Sequence, residues 1–232
     1  MSKSRPFPAV TGGCFCGLVR YRLETAPLFC HACHCADCHK SSGSVFACFA
    51  TIEADRVTSI GSMPPKFATT VRRDGVARHN AFCPKCGTQL WGNGDWSPAT
   101  IDIRVGSLDI PGLMEPDLHE FIESKVDWVI LPEGAKTCKG GYEIKDYWPK
   151  SSLKRLDAAM SRYEERLKLS KAAASGAGED EDEKEADKTP TAQSPEEKED
   201  DEEFEKRYQV TEKALQERLE KLSLKLNEQE VA

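Results

Sequence analysis

The sequence predicts a mainly β domain followed by an acidic disordered linker and a helical C-terminal tail. Three observations carry that expectation: short alternating stretches between turn formers, a break in charge near position 150, and cysteines confined to the first part of the chain. Leu18 to Leu23, Val45 to Ile52 and Thr100 to Val105 alternate or are β-branched, as strands with one buried face require. Between such stretches stand Gly12-Gly13, Gly61 to Pro65, Arg73-Asp74-Gly75, Gly92-Asn93-Gly94 and Ile110-Pro111-Gly112, which read as turns and predict an antiparallel β domain over 1–150 with little helix. From Ser151 the apolar period becomes 3.6, with Leu153, Leu156, Met160, Tyr163 and Leu167 on one stripe, so an amphipathic helix is expected over 151–170. Residues 171–203 are rich in acid and nearly free of apolar side chains. They cannot bury enough surface to offset their ordering entropy, which predicts disorder. A last amphipathic helix is expected over 204–232, with Tyr208, Leu215, Leu219, Leu222 and Leu226 on one face.

Charge excludes some functions. Residues 1–150 carry 17 basic and 16 acidic side chains, whereas 151–232 carry 15 and 23. A nearly neutral domain with an acidic tail disfavours nucleic acid as a partner. The apolar runs fall short of the ~18 residues a membrane span needs, and the first residues lack the apolar stretch of a signal peptide. A cytoplasmic protein is expected, the nucleus remaining open. All 10 cysteines lie between Cys14 and Cys138; in a reducing compartment they read as metal ligands or reactive thiols rather than as disulfides.

Their spacing divides them. Cys83-Pro84-Lys85-Cys86-Gly87 is a knuckle in which two thiolates converge on one point and Gly87 is free to take a positive φ. Cys14 and Cys16 share a side if their segment is extended. Two and two make a closed structural zinc site of Cys14, Cys16, Cys83 and Cys86. Cys33, Cys35 and Cys38 offer three thiolates, leaving a position for water or substrate unless Cys30, His31, His34 or His39 closes it; open and closed sites fit the spacing equally well. A redox Cys-x-x-Cys is disfavoured, because such motifs open a helix in a βαβ unit. Cys48 is expected to be a small buried hydrophobe, and Cys138 an incidental surface thiol.

The segments GGCFCG, CHCADCHKSSGS, HNAFCPKCGTQLW, VGSLDIPG and LHEFIESKVDW, in that order over roughly residues 10–130, resemble the glutathione-dependent formaldehyde-activating family, which includes the centromere-protein-V-like proteins. The resemblance implies an Mss4-like zinc-bound β fold with two zinc ions per chain: a structural one on Cys14, Cys16, Cys83 and Cys86, and a catalytic one on Cys33, Cys35 and Cys38. It also implies a carbon–sulfur lyase that forms or cleaves a glutathione–aldehyde adduct, with glutathione and a small aldehyde or related electrophile as partners. His34, Asp37 and His39 are the adjacent candidates to shuttle a proton. Lys40, Arg72, Arg73, Arg78 and Lys85 are the candidates to bind the glutathione carboxylates. The alternative is a non-catalytic zinc-binding interaction module. The C-terminal helix is the candidate site for a protein partner.

Overall fold

The computed structural model of the chain describes residues 10–71, 75–94 and 97–175. Arg72, Arg73, the expected linker beyond residue 175 and the expected helix over 204–232 lie outside these residues. Among the described residues ten strands form two sheets. The smaller has the order β1 (Val10–Gly13), β2 (Arg20–Leu23) and β5 (Val57–Ser59). The larger runs β10 (Leu118–Glu120), β3 (Phe29–Cys33), β4 (Ala47–Glu53), β9 (Thr100–Arg104), β8 (Gln89–Gly94), β7 (Ala77–Phe82) and β6 (Lys66–Val71). The pairings are antiparallel apart from β10, which lies parallel to β3. The fold is therefore mainly β, as expected, although the larger sheet is mixed rather than purely antiparallel.

The alternation in β4 and β9 separates two environments. Ala50, Ile52, Ile101 and Ile103 point toward the smaller sheet and pack with Val10, Tyr21, Leu23 and Leu90. Tyr21 is fully buried, and its hydroxyl meets Ser107 Oγ at 2.7 Å, so the ring enters the core without orphaning its polar end. Each large apolar side chain buried here contributes about 1.5–3 kcal/mol. The intervening residues Phe49, Thr51, Thr100 and Asp102 face the other side of the sheet, where a cavity lies.

Two segments expected to turn are extended. Gly12 and Gly13 belong to β1, and Gly92 to Gly94 belong to β8. Close approach, not turn geometry, explains the glycines: a Cβ on Gly12 would stand 2.5 Å from the Tyr21 ring, and one on Gly92 would stand 2.9 Å from Asn80 Oδ1 and 3.2 Å from Arg78 Nε.

The helix after the β domain is α3, Lys150–Ser175, longer at its end than the stripe predicted. With α2 (Ile144–Tyr147) it is integrated into the fold rather than trailing from it. Leu153, Leu156 and Trp148 pack with Leu28, Phe29 and Leu118, and Trp148 stacks on Phe29 with ring centroids 5.7 Å apart. Arg155 reaches the buried Glu53 carboxylate at 2.9 and 2.7 Å and donates to the Ala26 carbonyl. Ser152 Oγ donates to the Leu28 carbonyl at 2.7 Å, and Arg162 meets Asp55 at 2.9 Å. Among the described residues no helix is long and apolar enough to cross a membrane.

Candidate active site

Two turns from different sheets build the first cysteine cluster. Cys14 and Cys16 lie in the connection from β1 to β2, and Cys83 and Cys86 in that from β7 to β8. The Cys14 to Cys16 segment is a turn rather than an extended stretch, so the condition for strand alternation is not met. The Gly17 amide bonds to the Cys14 carbonyl at 3.0 Å, as the Gly87 amide does to Cys83 at 2.8 Å, and both glycines have positive φ, 77° and 75°. The pair therefore repeats the knuckle geometry, which brings two thiols to one side more tightly than strand alternation would. All four sulfurs lie within 4.8 Å of one another. Cys14 and Cys16 are 3.5 Å apart, and Cys16 and Cys83 3.7 Å. A tetrahedron of thiolates about zinc, with Zn–S about 2.3 Å, has edges of about 3.8 Å, so this donor set fits such an ion. Thr88 ties the turns together: its hydroxyl accepts from the Phe15 amide at 3.2 Å and lies 3.2 Å from Cys86 Sγ. Hydrogen bonding from Thr88 pulls the Cys86 thiol down to about 5, toward the thiolate a metal requires.

The second cluster stands at a strand-to-helix junction. Cys33 ends β3, Cys35 caps α1 (Ala36–Ser42) by accepting from the Cys38 amide at 3.4 Å, and Cys38 lies one turn inside that helix. Their sulfurs also lie within 4.8 Å of one another, and among the described residues no His, Asp, Glu or further Cys joins them at that range. Two of the candidates for a fourth ligand, Cys30 and His34, are turned elsewhere, while His31 lines the same cavity outside that range. Cys30 points into the core between the sheets, and the fully buried His34 puts its Nε2 3.1 Å from His119 Nδ1. His31 Nε2 lies 3.5 Å from Glu120 Oε1, and its ring packs on Phe49 at 5.1 Å. Hydrogen bonding from Cys33 pulls the Cys38 thiol down to about 7 against the effect of burial, with further help from Cys35 and the positive charges of Arg78 and Arg104. Either cluster could hold a metal ion.

The triplet opens on a cavity of about 830 Å³. Of the expected proton carriers, Asp37 faces this cavity, while His34 and His39 do not form its wall. Among the expected cations Lys40 and Arg78 line it, and Lys85 stands exposed in the other cluster's turn. Sequence reasoning passed over Asp102, Arg104, Glu120 and Tyr142. Arg104 is 8% exposed and bonds to Gln89 Oε1 at 2.9 Å and Ser41 Oγ at 3.3 Å. Its guanidinium lies 4.7 Å from the Phe49 ring centroid, and that of Arg78 lies 5.2 Å from it, so Phe49 holds two cations beside the thiols. Arg78 also lies 3.5 Å from Asp102. The signal was present in Thr100-Ile101-Asp102-Ile103-Arg104, where charge recurs at period two in a strand whose other face is isoleucine. Cys48 is half-buried rather than enclosed, and Cys138 joins the cluster around Phe29, with its thiol 3.1 Å from the Gly140 carbonyl.

Residues 9–124 match the family model described as glutathione-dependent formaldehyde-activating enzyme. A Talaromyces marneffei protein assigned by name to glutathione-dependent formaldehyde activation is 29% identical over 149 residues, spanning 62% of this chain and 78% of its own length. A crystal structure of a Rhodobacter sphaeroides protein, 20% identical, aligns over 43% of this chain and 87% of its own with a TM-score of 0.34. The matched stretch holds both cysteine clusters and the strands that carry them, and the chain belongs to the glutathione-dependent formaldehyde-activating family.

Proposed function

We propose that the protein is a carbon–sulfur lyase that forms or cleaves the adduct of glutathione with an aldehyde, using one zinc ion on Cys33, Cys35 and Cys38 and a structural zinc on Cys14, Cys16, Cys83 and Cys86. The observation that carries this reading is a cluster of three thiols, with no fourth protein ligand among the described residues, opening on a cavity large enough for a tripeptide. In the forward direction the thiol sulfur loses its proton and bonds to the aldehyde carbon; the carbonyl π pair moves to oxygen, which takes up a proton. Atoms balance without an oxidant or reductant. Zinc, when bound, supplies Lewis acidity and lowers the pKa of a thiol that joins it.

The chain's own residues bind and orient. Arg78, flanked by Asp102 and supported by Phe49, presents a cation to a glutathione carboxylate, and Lys40 offers a second at the cavity wall. Arg104 donates from one terminal nitrogen to Gln89 and Ser41 and does not form the cavity wall, so its part is to hold positive charge behind the thiols rather than to meet substrate. Asp37 and the His31–Glu120 pair reach the same space, and either can hold the proton passing between sulfur and oxygen: Asp37 on a carboxylate oxygen, His31 on Nε2.

X-ray absorption at the zinc edge, with and without glutathione, tests the reading. Two zincs per chain are expected, and addition of glutathione should raise the mean sulfur count as the thiol joins the three-cysteine site. Stoichiometric zinc whose sulfur count ignores saturating glutathione would refute it.

A further inference from the structure

The cavity is longer than formaldehyde chemistry needs. The thiols stand where Cys33 pairs with Ala47, and the far end lies where Phe29 pairs with Thr51. Those levels are four residues apart, about 13 Å along the sheet. Near the thiols the walls are polar and charged, with Asp37, Lys40 and Arg78. Toward the far end Tyr142, Ile144, Trp148, Leu156 and Met160 form an apolar wall opposite a sheet floor of Thr51, Thr100 and Asp102. All five wall residues lie beyond residue 124, outside the stretch that matches the family model, and α2, α3 and the segment before them bring them to the site. The wall is held firmly: Arg155 is clamped to Glu53, and Trp148 Nε1 donates to the Tyr142 hydroxyl at 3.3 Å.

We infer that this far lobe receives an apolar group on the electrophile, so that the substrate class is the glutathione adduct of an aldehyde bearing a hydrocarbon chain or ring rather than that of formaldehyde alone. The inference rests on the lyase reading for the position of sulfur, and adds what lies beyond it. One carbon cannot reach 13 Å from the thiols, and the peptide arms of glutathione, which carry two carboxylates and an ammonium, find their counter-charges at the near end. A hydrocarbon removed from water gains about 25 cal/mol per Å² of surface buried, and the aromatic and aliphatic wall is suited to take it. Met160 is half-buried and stands outside the apolar core clusters, which makes it the residue to alter.

Isothermal titration of the zinc-loaded full chain with S-methylglutathione and S-hexylglutathione tests this, since a thioether stands in for the adduct's carbon–sulfur bond without turnover. The hexyl compound is expected to bind at least tenfold tighter. Met160→Trp, or Met160→Phe where the larger ring prevents folding, should fill the lobe and erase that preference while leaving S-methylglutathione affinity within about twofold. Equal affinity for the two compounds in the unaltered protein, or failure of both to bind, would overturn the inference. Turnover of formaldehyde or of hexanal with glutathione on the same preparation separates the two readings. A hexyl preference without turnover leaves the lobe standing and removes the lyase, whereas turnover without the preference does the reverse.

Discussion

The two cysteine clusters are made of the same residue and differ in what surrounds them. Cys14, Cys16, Cys83 and Cys86 join two facing turns, one from each sheet, and supply as many sulfurs as a tetrahedral ion accepts. Cys33, Cys35 and Cys38 come from one strand-to-helix junction, supply three, and face a cavity with Arg78 in its wall and Arg104 behind them. Closure across two sheets would make an ion on the four a staple; three thiols from one local junction would leave the fold independent of an ion there. The comparison teaches that long-range connection, more than ligand type, decides whether a metal site bears on stability or on chemistry.

The largest expected effect is from breaking the staple. Cys83 is fully buried, and Cys83→Ser removes one of four thiols from a site where a structural zinc would be worth about 10 kcal/mol or more, comparable with the whole stability of a domain. Cooperative thermal unfolding followed by circular dichroism should vanish, and a variant that melts like the parent would show that the two turns need no ion. Next is a clamp outside both clusters: Arg155→Ala leaves the Glu53 carboxylate buried without its cation, at a cost of about 3 kcal/mol. Denaturant unfolding measures it, and a loss under 1 kcal/mol would mean that α3 contributes little to the β domain. Cys35→Ser sharpens the contrast from the other side. Serine caps a helix as well as cysteine does, so α1 should persist and stability change by less than about 1 kcal/mol. Zinc per chain should fall from two to one, and adduct formation should drop at least a hundredfold; full activity in this variant would end the proposed role of the triplet.

The smallest effect is electrostatic. Burial pushes the Asp55 carboxyl up, but the hydrogen bond and charge of Arg162, aided by Arg56 and Arg166, outweigh it and hold the group below its ordinary value. A depressed folded-state pKa stabilises above the unfolded value near 4 and loses that contribution as pH falls through the folded value. Arg162→Gln should therefore flatten the stability profile below about pH 4 while leaving the neutral-pH profile parallel to that of the parent. An unchanged acid limb would show that Arg162 does not hold the carboxylate in solution.

Much of the site was legible because metal ligation is a local code. A Cys-x-x-Cys turn closed by glycine needs few residues to specify, and Gly87 adopts the positive φ its place implied. The strands around Phe49 and Ile103 were legible because a buried face repeats every second residue. Gly12 and Gly92 misled for a physical reason: a glycine chosen for space and one chosen for backbone freedom are the same letter, and the Tyr21 ring and the Arg78 side chain that need the space lie on other strands. Arg104 and Glu120 went unnoticed because a charge in a strand looks solvated until the facing elements are known.

By itself, the sequence determined the mainly β character, the grouping of seven cysteines into a four and a three, and the family, because each is written in periodicity or spacing within a few residues. The tertiary structure decided which sheets the four cysteines join, that Cys30 and His34 are turned away from the three, that two arginines stack on Phe49, and that α3 walls the cavity. Those are contacts between residues dozens of positions apart, and only the pairing of strands and the packing of a helix across them sets such distances.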